Sequence, residues 1–287
     1  MGDQEISIGG RGMAKQFKFG ILPDRVPEDT SLSSFSKDWE YFEVPASIHG
    51  SPLLSDVEWE ENKAMYKKDG RPTPVTSHLL GPGRSHQGGS GKYYDRELID
   101  FSIRRTVKRM AELGVKTMGS YGGHFRCQEG FNRTKAIDQA LSTINLIADY
   151  LEPYGMQLAL EPLSDMETLF PRYLEGVAFA KMSGRSNVKV MADLNYFIAL
   201  DQKLEDILKE PEYCLNVHIA GDNAQPNVGI REDIFVHLFK VLKDAGYEGG
   251  VTAACPWVSS GGGPLDWKKE TDITIKYLMD LRDKTYR

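Results

Sequence analysis

Two hydrophobic rhythms alternate along the chain. Short apolar runs with strand character are separated by longer stretches in which apolar residues return every three or four positions. Phe17 to Ile21 reads as a first strand, Tyr41 to Pro45 as a second, and Thr73 to His78 as a third. Ile99, Ile103, Val107, Met110 and Leu113 then mark one face of a helix that stops at Gly114, ahead of a strand from Val115 to Gly119. Ile137, Leu141, Ile144, Ala148 and Leu151 repeat the helical pattern, Pro153 and Gly155 end it, and Leu158-Ala159-Leu160 begins the next strand. The same exchange continues through a helix from Tyr173 to Met182, a strand from Val188 to Ala192, a helix around Leu204, Ile207 and Leu208, and a strand from Cys214 to Val217. Ile234, Leu238, Val241 and Leu242 predict a further helix, Gly250 to Ala254 the last strand, and Ile273 to Leu281 the closing helix. Eight strands alternating with helices predict a single-domain α/β fold, the (β/α)8 barrel, over residues 15–287. A doubly wound open sheet is the alternative, but no Gly-rich phosphate fingerprint follows the first strand.

Residues 1–14 are polar and Gly-rich and are expected to form a flexible leader. Composition narrows the functions available. The 41 acidic and 35 basic side chains leave a formal charge of −6, which offers no general attraction for nucleic acid. Cys127, Cys214 and Cys255 form no CxxC pair and are odd in number, so a disulfide framework is not expected and a cytoplasmic setting is. No apolar run approaches the ~20 residues of a membrane span.

The chemistry concentrates at strand ends. Glu161, Asp193 and His218 each follow a short apolar run, and the carboxyl ends of parallel strands share one rim, so the three can converge. Two carboxylates and an imidazole suit one divalent metal ion. His124, in the segment ending the fourth strand, is a candidate base because imidazole titrates near neutral pH, and His78 at the end of the third strand is a second. The Gly-rich segment from Gly81 to Lys92, which carries His86, is expected to act as a lid. Glu43 and Trp257 are expected to contact substrate from the rim.

The segments LALEPLSD, VMADLNYF, NVHIAGDN and DAGYEGG resemble the xylose-isomerase-like TIM barrels, a superfamily of sugar isomerases, ketose 3-epimerases and endonuclease IV. The resemblance implies that Glu161, Asp193 and His218 hold manganese, magnesium, cobalt or zinc. A fourth ligand, a Glu followed by Pro and an aromatic residue, is replaced here by Cys255, followed by Pro256 and Trp257. Cys255 then either completes the metal site as a thiolate or lines it as an inert thiol. Two ketose-binding positions also differ: Tyr196 stands where relatives carry His, and Ala224, after Asn223, where they carry Arg. The implied activity is a metal-dependent isomerase or epimerase acting through an enediolate on a sugar carbonyl, with His124 or Glu161 taking the proton. A lyase cleaving 3-oxo-glycosides by β-elimination and a non-catalytic sugar-binding or partner-subunit barrel are the alternatives. The expected partner is a small sugar, with neither nucleic acid nor membrane; a homo-oligomer or a small partner subunit stays open.

Overall fold

The computed structural model describes residues 16–23, 31–77, 79, 88–165 and 167–287. The expected leader, His78, His86 and most of the expected lid lie outside these residues.

Eight parallel strands close a barrel in sequence order. The chain runs through β1 (Lys18–Ile21), β2 (Tyr41–Pro45), α1 (Ala46–His49), α2 (Asp56–Asp69) and β3 (Val75–Ser77). It continues with α3 (Arg96–Glu112), β4 (Thr117–Tyr121), α4 (Arg133–Leu151), β5 (Gln157–Glu161), α5 (Tyr173–Met182) and β6 (Val188–Asp193). The last third comprises α6 (Leu194–Ala199), α7 (Asp206–Lys209), β7 (Cys214–Ile219), α8 (Glu232–Asp244), β8 (Gly250–Ala253) and α9 (Trp267–Tyr286). Lys18 to Ile21 pair with Gly250 to Ala253, and that ladder closes the sheet on itself.

Helix starts are set by side chains that satisfy the exposed amide groups of the first turn. Ser55 and Glu58 form a reciprocal capping box on α2, and Asp95, Asn132 and Asp266 cap α3, α4 and α9. The helix expected around Leu204 is instead two short pieces, α6 directly after Asp193 and α7 further on. Asp193 itself caps α6 by accepting a hydrogen bond from the Asn195 amide at 2.7 Å, a local cue that outweighed the apolar spacing. The closing helix is longer than its apolar stripe, because Asp266 starts it at Trp267.

Strand periodicity divides the barrel into two environments. Phe19, Phe42, Val44, Leu158, Leu160, Val190, Val217, Ile219 and Val251 belong to the continuous apolar cluster shared with the surrounding helices. Fully burying one such side chain contributes ~2 kcal/mol. The alternate residues point inward, and several are polar: Glu43, Asn216, His218, Thr252, Glu161 and Asp193 are all buried. Two glycines make room among them. A Cβ on Gly20 would lie 2.1 Å from the Tyr41 ring, and one on Gly250 would lie 2.3 Å from the Tyr41 hydroxyl. Both positions therefore need glycine for Tyr41 to lie across the barrel interior. No described helix is long and apolar enough to cross a membrane.

Candidate metal centre and substrate cavity

Glu161 and Asp193 are the final residues of β5 and β6, and His218 is the last but one of β7. Asp193 is in register with His218, and His218 with Thr252 of β8, so neighbouring inward side chains stand at one level. One ligand atom from each of Glu161, Asp193 and His218 lies within 4.8 Å of the others, and all three residues are buried. The His218 Nδ1 atom is 3.8 Å from Glu161 Oε1 and 3.8 Å from Asp193 Oδ2.

The orientation of His218 is fixed from below. Its Nε2 lies 2.9 Å from Glu43 Oε1, and an ionised carboxylate only accepts, so Nε2 carries the proton and Nδ1 is presented to the two carboxylates. Glu43 is fully buried and is held in turn by Asn216 Nδ2 at 3.0 Å and Thr252 Oγ1 at 2.7 Å. Thr252 donates to Glu43, which leaves its oxygen to accept from the Tyr41 hydroxyl at 2.7 Å. A carboxylate behind a ligating imidazole fixes the ring and raises its basicity. The structure thus places Glu43 beneath His218, away from the rim position at which a substrate contact was expected.

The cluster is electrostatically unbalanced on its own protein groups. Burial raises the Glu161 carboxyl to about 8; His218 opposes this, while Asp193 and Glu43 add to it. Burial by itself would lower the His218 pKa, but the charge of Glu43, the nearby Asp193 and the hydrogen bond to Glu43 outweigh it and hold the imidazole well above its ordinary range. Glu43 is pulled below the usual range for the same reason: the burial penalty is exceeded by His218. Buried carboxylates that crowd one another and face an imidazole nitrogen form a donor set suited to a divalent cation, which removes the repulsion. The residues present fit such an ion.

Above the cluster lies a cavity of about 450 Å³, lined by Tyr121, Asn195, Tyr196, Asn223, Arg231, Ala254, Cys255 and Pro256. Burial and the Glu161 carboxylate raise the Tyr121 and Tyr196 hydroxyl pKa values above 10, so both phenols stay protonated and can donate hydrogen bonds. Tyr196 lines the cavity. Cys255 also lines it, but the three-residue cluster does not include its sulfur.

Two expectations are placed elsewhere. His124 is buried in a 3-10 turn, Gly122–His124, with its ring edge-on to Tyr121 at 5.7 Å. It is not among the cavity-lining residues, and Tyr121 forms that part of the wall. Trp257 packs between Trp39 and Trp267, with ring centroids 6.2 and 6.1 Å away, and belongs to the core rather than to the cavity surface.

Sequence reading missed Arg231, at the N-terminus of α8. Its backbone is left-handed (φ 55°, ψ 25°), a conformation that costs a non-glycine residue about 1–2 kcal/mol. Asn223, in the same loop, also has φ 55°, and both line the cavity. Non-glycine residues in this region concentrate where the surroundings over-determine them. The loop is held to the β8–α9 connection by buried Gln225, which donates to the Val258 carbonyl at 2.8 Å and accepts from its amide at 3.0 Å. The sequence signal was an arginine just before an apolar helical repeat, 13 residues after His218, and its position was unreadable because the intervening loop has no period.

A D-psicose 3-epimerase from Agrobacterium fabrum (strain C58 / ATCC 33970) is 26% identical over 226 residues, 76% of each chain. Among solved structures, the fold is similar to a 3-keto-D-glucoside 4-epimerase from E. coli (TM-score 0.73, 16% identity, 93% of this chain and 100% of that one). It is also similar to a D-psicose 3-epimerase crystallised in the presence of D-fructose (TM-score 0.67, 20% identity, 94% and 96%). Residues 38–280 match the family described as Xylose isomerase-like TIM barrel, and with most of the barrel covered, the chain belongs to that family.

Proposed function

We propose that this protein is a divalent-metal-dependent epimerase or isomerase that moves a proton at the carbon beside a sugar carbonyl. The observation that carries the reading is the buried Glu161, Asp193 and His218 cluster at the floor of a polar cavity large enough for a monosaccharide. Similarity to sugar epimerases supports the same substrate class. A divalent ion held by Glu161, Asp193 and His218 would supply Lewis acidity to a substrate carbonyl.

The remaining work falls to the chain. Glu161 is the proton carrier: its carboxyl is buried at the cavity floor, where it faces a bound substrate. Tyr121 and Tyr196 donate hydrogen bonds to substrate oxygens from the cavity wall, and Glu43 keeps His218 aimed upward throughout. Deuterium wash-in is the test. Manganese-loaded protein incubated with D-psicose in deuterated water should incorporate solvent deuterium at the carbon next to the carbonyl, and Glu161→Gln should abolish it. Absence of exchange with ketoses and with 3-keto-glucosides would rule the reading out.

A second reading rests on Cys255. Glu161 and Asp193 are the only carboxylates among the described cavity-lining residues, and with Asp193 engaged as the cap of α6, Glu161 is left as the single carboxylate base. A lone base suits β-elimination from a 3-oxo-glycoside, in which the proton leaves to Glu161, the C–H electron pair forms the C=C bond, and the glycosidic C–O bond breaks to release the aglycone. Release of aglycone from a 3-oxo-glycoside without epimerised product would favour this lyase reading.

A further inference from the structure

The geometry points to Arg231 as a specificity-determining residue that binds neutral hydroxyl oxygens of the substrate; this rests on the sugar-carbonyl reading above. The guanidinium reaches the cavity wall from α8 and is locked on two edges. Its Nε donates to Asp222 Oδ1 at 2.6 Å, and its Nη1 donates to Asn195 Oδ1 at 2.7 Å and to the Ala220 carbonyl at 3.3 Å. The Nη2 atom has no partner among the described residues, which leaves its donors for a ligand. Asn195 is oriented by the same contact: with Oδ1 engaged by Arg231, its amide nitrogen is the end available to the cavity. Asn223 adds a third polar side chain to this wall.

A wall of donors recognises acceptor oxygens. The choice between hydroxyls and an anion is made by Asp222, whose carboxylate balances the guanidinium charge at contact distance. A carboxylate or phosphate on the substrate would gain little from an arginine whose charge Asp222 already compensates. Adjacent hydroxyls accept from Nη2 and the Asn195 amide without that penalty. Arg231 enters α8 with left-handed backbone, and its side chain lines the cavity from that helix start.

The test is calorimetric titration of manganese-loaded protein with D-psicose and with D-fructuronate, which carries a carboxylate in place of the terminal hydroxymethyl. Parent, Arg231→Gln and Arg231→Lys are compared, with manganese affinity and melting temperature measured on each. The expected result is that parent prefers psicose, that Arg231→Gln weakens psicose binding about tenfold or more, that Arg231→Lys recovers part of it, and that manganese affinity is unchanged. Psicose binding that requires manganese but is equal in parent and Arg231→Gln overturns this inference and leaves the proposed function standing. Tighter binding of fructuronate overturns the assignment to neutral hydroxyls. No binding of either sugar by the manganese-loaded parent sinks the proposed function and this inference with it.

Discussion

The two sides of the cavity are built in different ways. On the β5–β7 side, Glu161, Asp193 and His218 belong to strands, and their spacing is set by ladder register, with a fully buried Glu43 behind the imidazole. On the β7–β8 side, Asn223, Arg231 and Cys255 lie on connecting loops, and their positions depend on left-handed backbone and on the Gln225 clamp. The strand side presents a fixed set of ligand atoms, as a metal site requires. The loop side can vary without disturbing the barrel, so it is where relatives with the same cluster can differ in the sugar they accept.

The sharpest way to break this division is to remove a strand residue. Glu161→Gln and His218→Ala should each lose tightly bound manganese and at least a thousandfold of turnover while the barrel still folds, read by elemental analysis and deuterium exchange. Retention of stoichiometric manganese in both would show that the cluster is not the metal site.

Next in size is Glu43→Ala. It leaves the buried His218 without its partner and should lower manganese affinity about 10–100-fold, with a loss of stability of order 3 kcal/mol in denaturant melts. Glu43→Gln keeps the hydrogen bond without the charge and should fall between. An unchanged manganese affinity in both variants would remove Glu43 from the account of the centre.

A pH series sharpens the electrostatic side of the comparison. In metal-free protein the Glu161 pKa is raised to about 8 from an ordinary value near 4.5, and that of His218 is raised as well. A raised folded-state pKa contributes stability that is fully present below the unfolded pKa and is lost as pH rises through the folded one. The melting temperature of metal-free protein should therefore fall as pH rises from about 5 to about 8, and manganese should reverse the fall and release protons on binding. A flat profile, or one that rises, would contradict the crowding of charge described for the cluster.

The smallest effect is expected on the loop side. Cys255→Ala should keep full manganese content and lose only about 1 kcal/mol of stability. Loss of the metal would make the sulfur a ligand.

Much of the strand side was legible in the sequence. Alternation of apolar runs with helical spacing identified the barrel, and Glu161, Asp193 and His218 were visible because each follows its run directly. Glu43 was visible as a strand-end carboxylate, but its role was not: whether it faces substrate or a histidine 175 residues away depends on pairing that closes β1 onto β8. His124 looked like a base because it follows a strand, yet a 3-10 turn buries it and puts Tyr121 on the cavity wall. Arg231 was hidden because loop residues carry no period from which to read direction.

By itself, then, the sequence determined the periodic part of this protein: eight strands, their inward and outward faces, and the three strand-end residues that share a rim. Those follow from local rules, since a strand reverses its side chains every residue and a helix repeats every 3.6. Tertiary structure alone decided which buried carboxylate orients which imidazole, that Trp257 joins the core while Tyr121 and Tyr196 line the cavity, and that an arginine held in a left-handed turn lines it too. Those depend on contacts between residues far apart in the chain, where closure of the barrel, and not local preference, sets the distances.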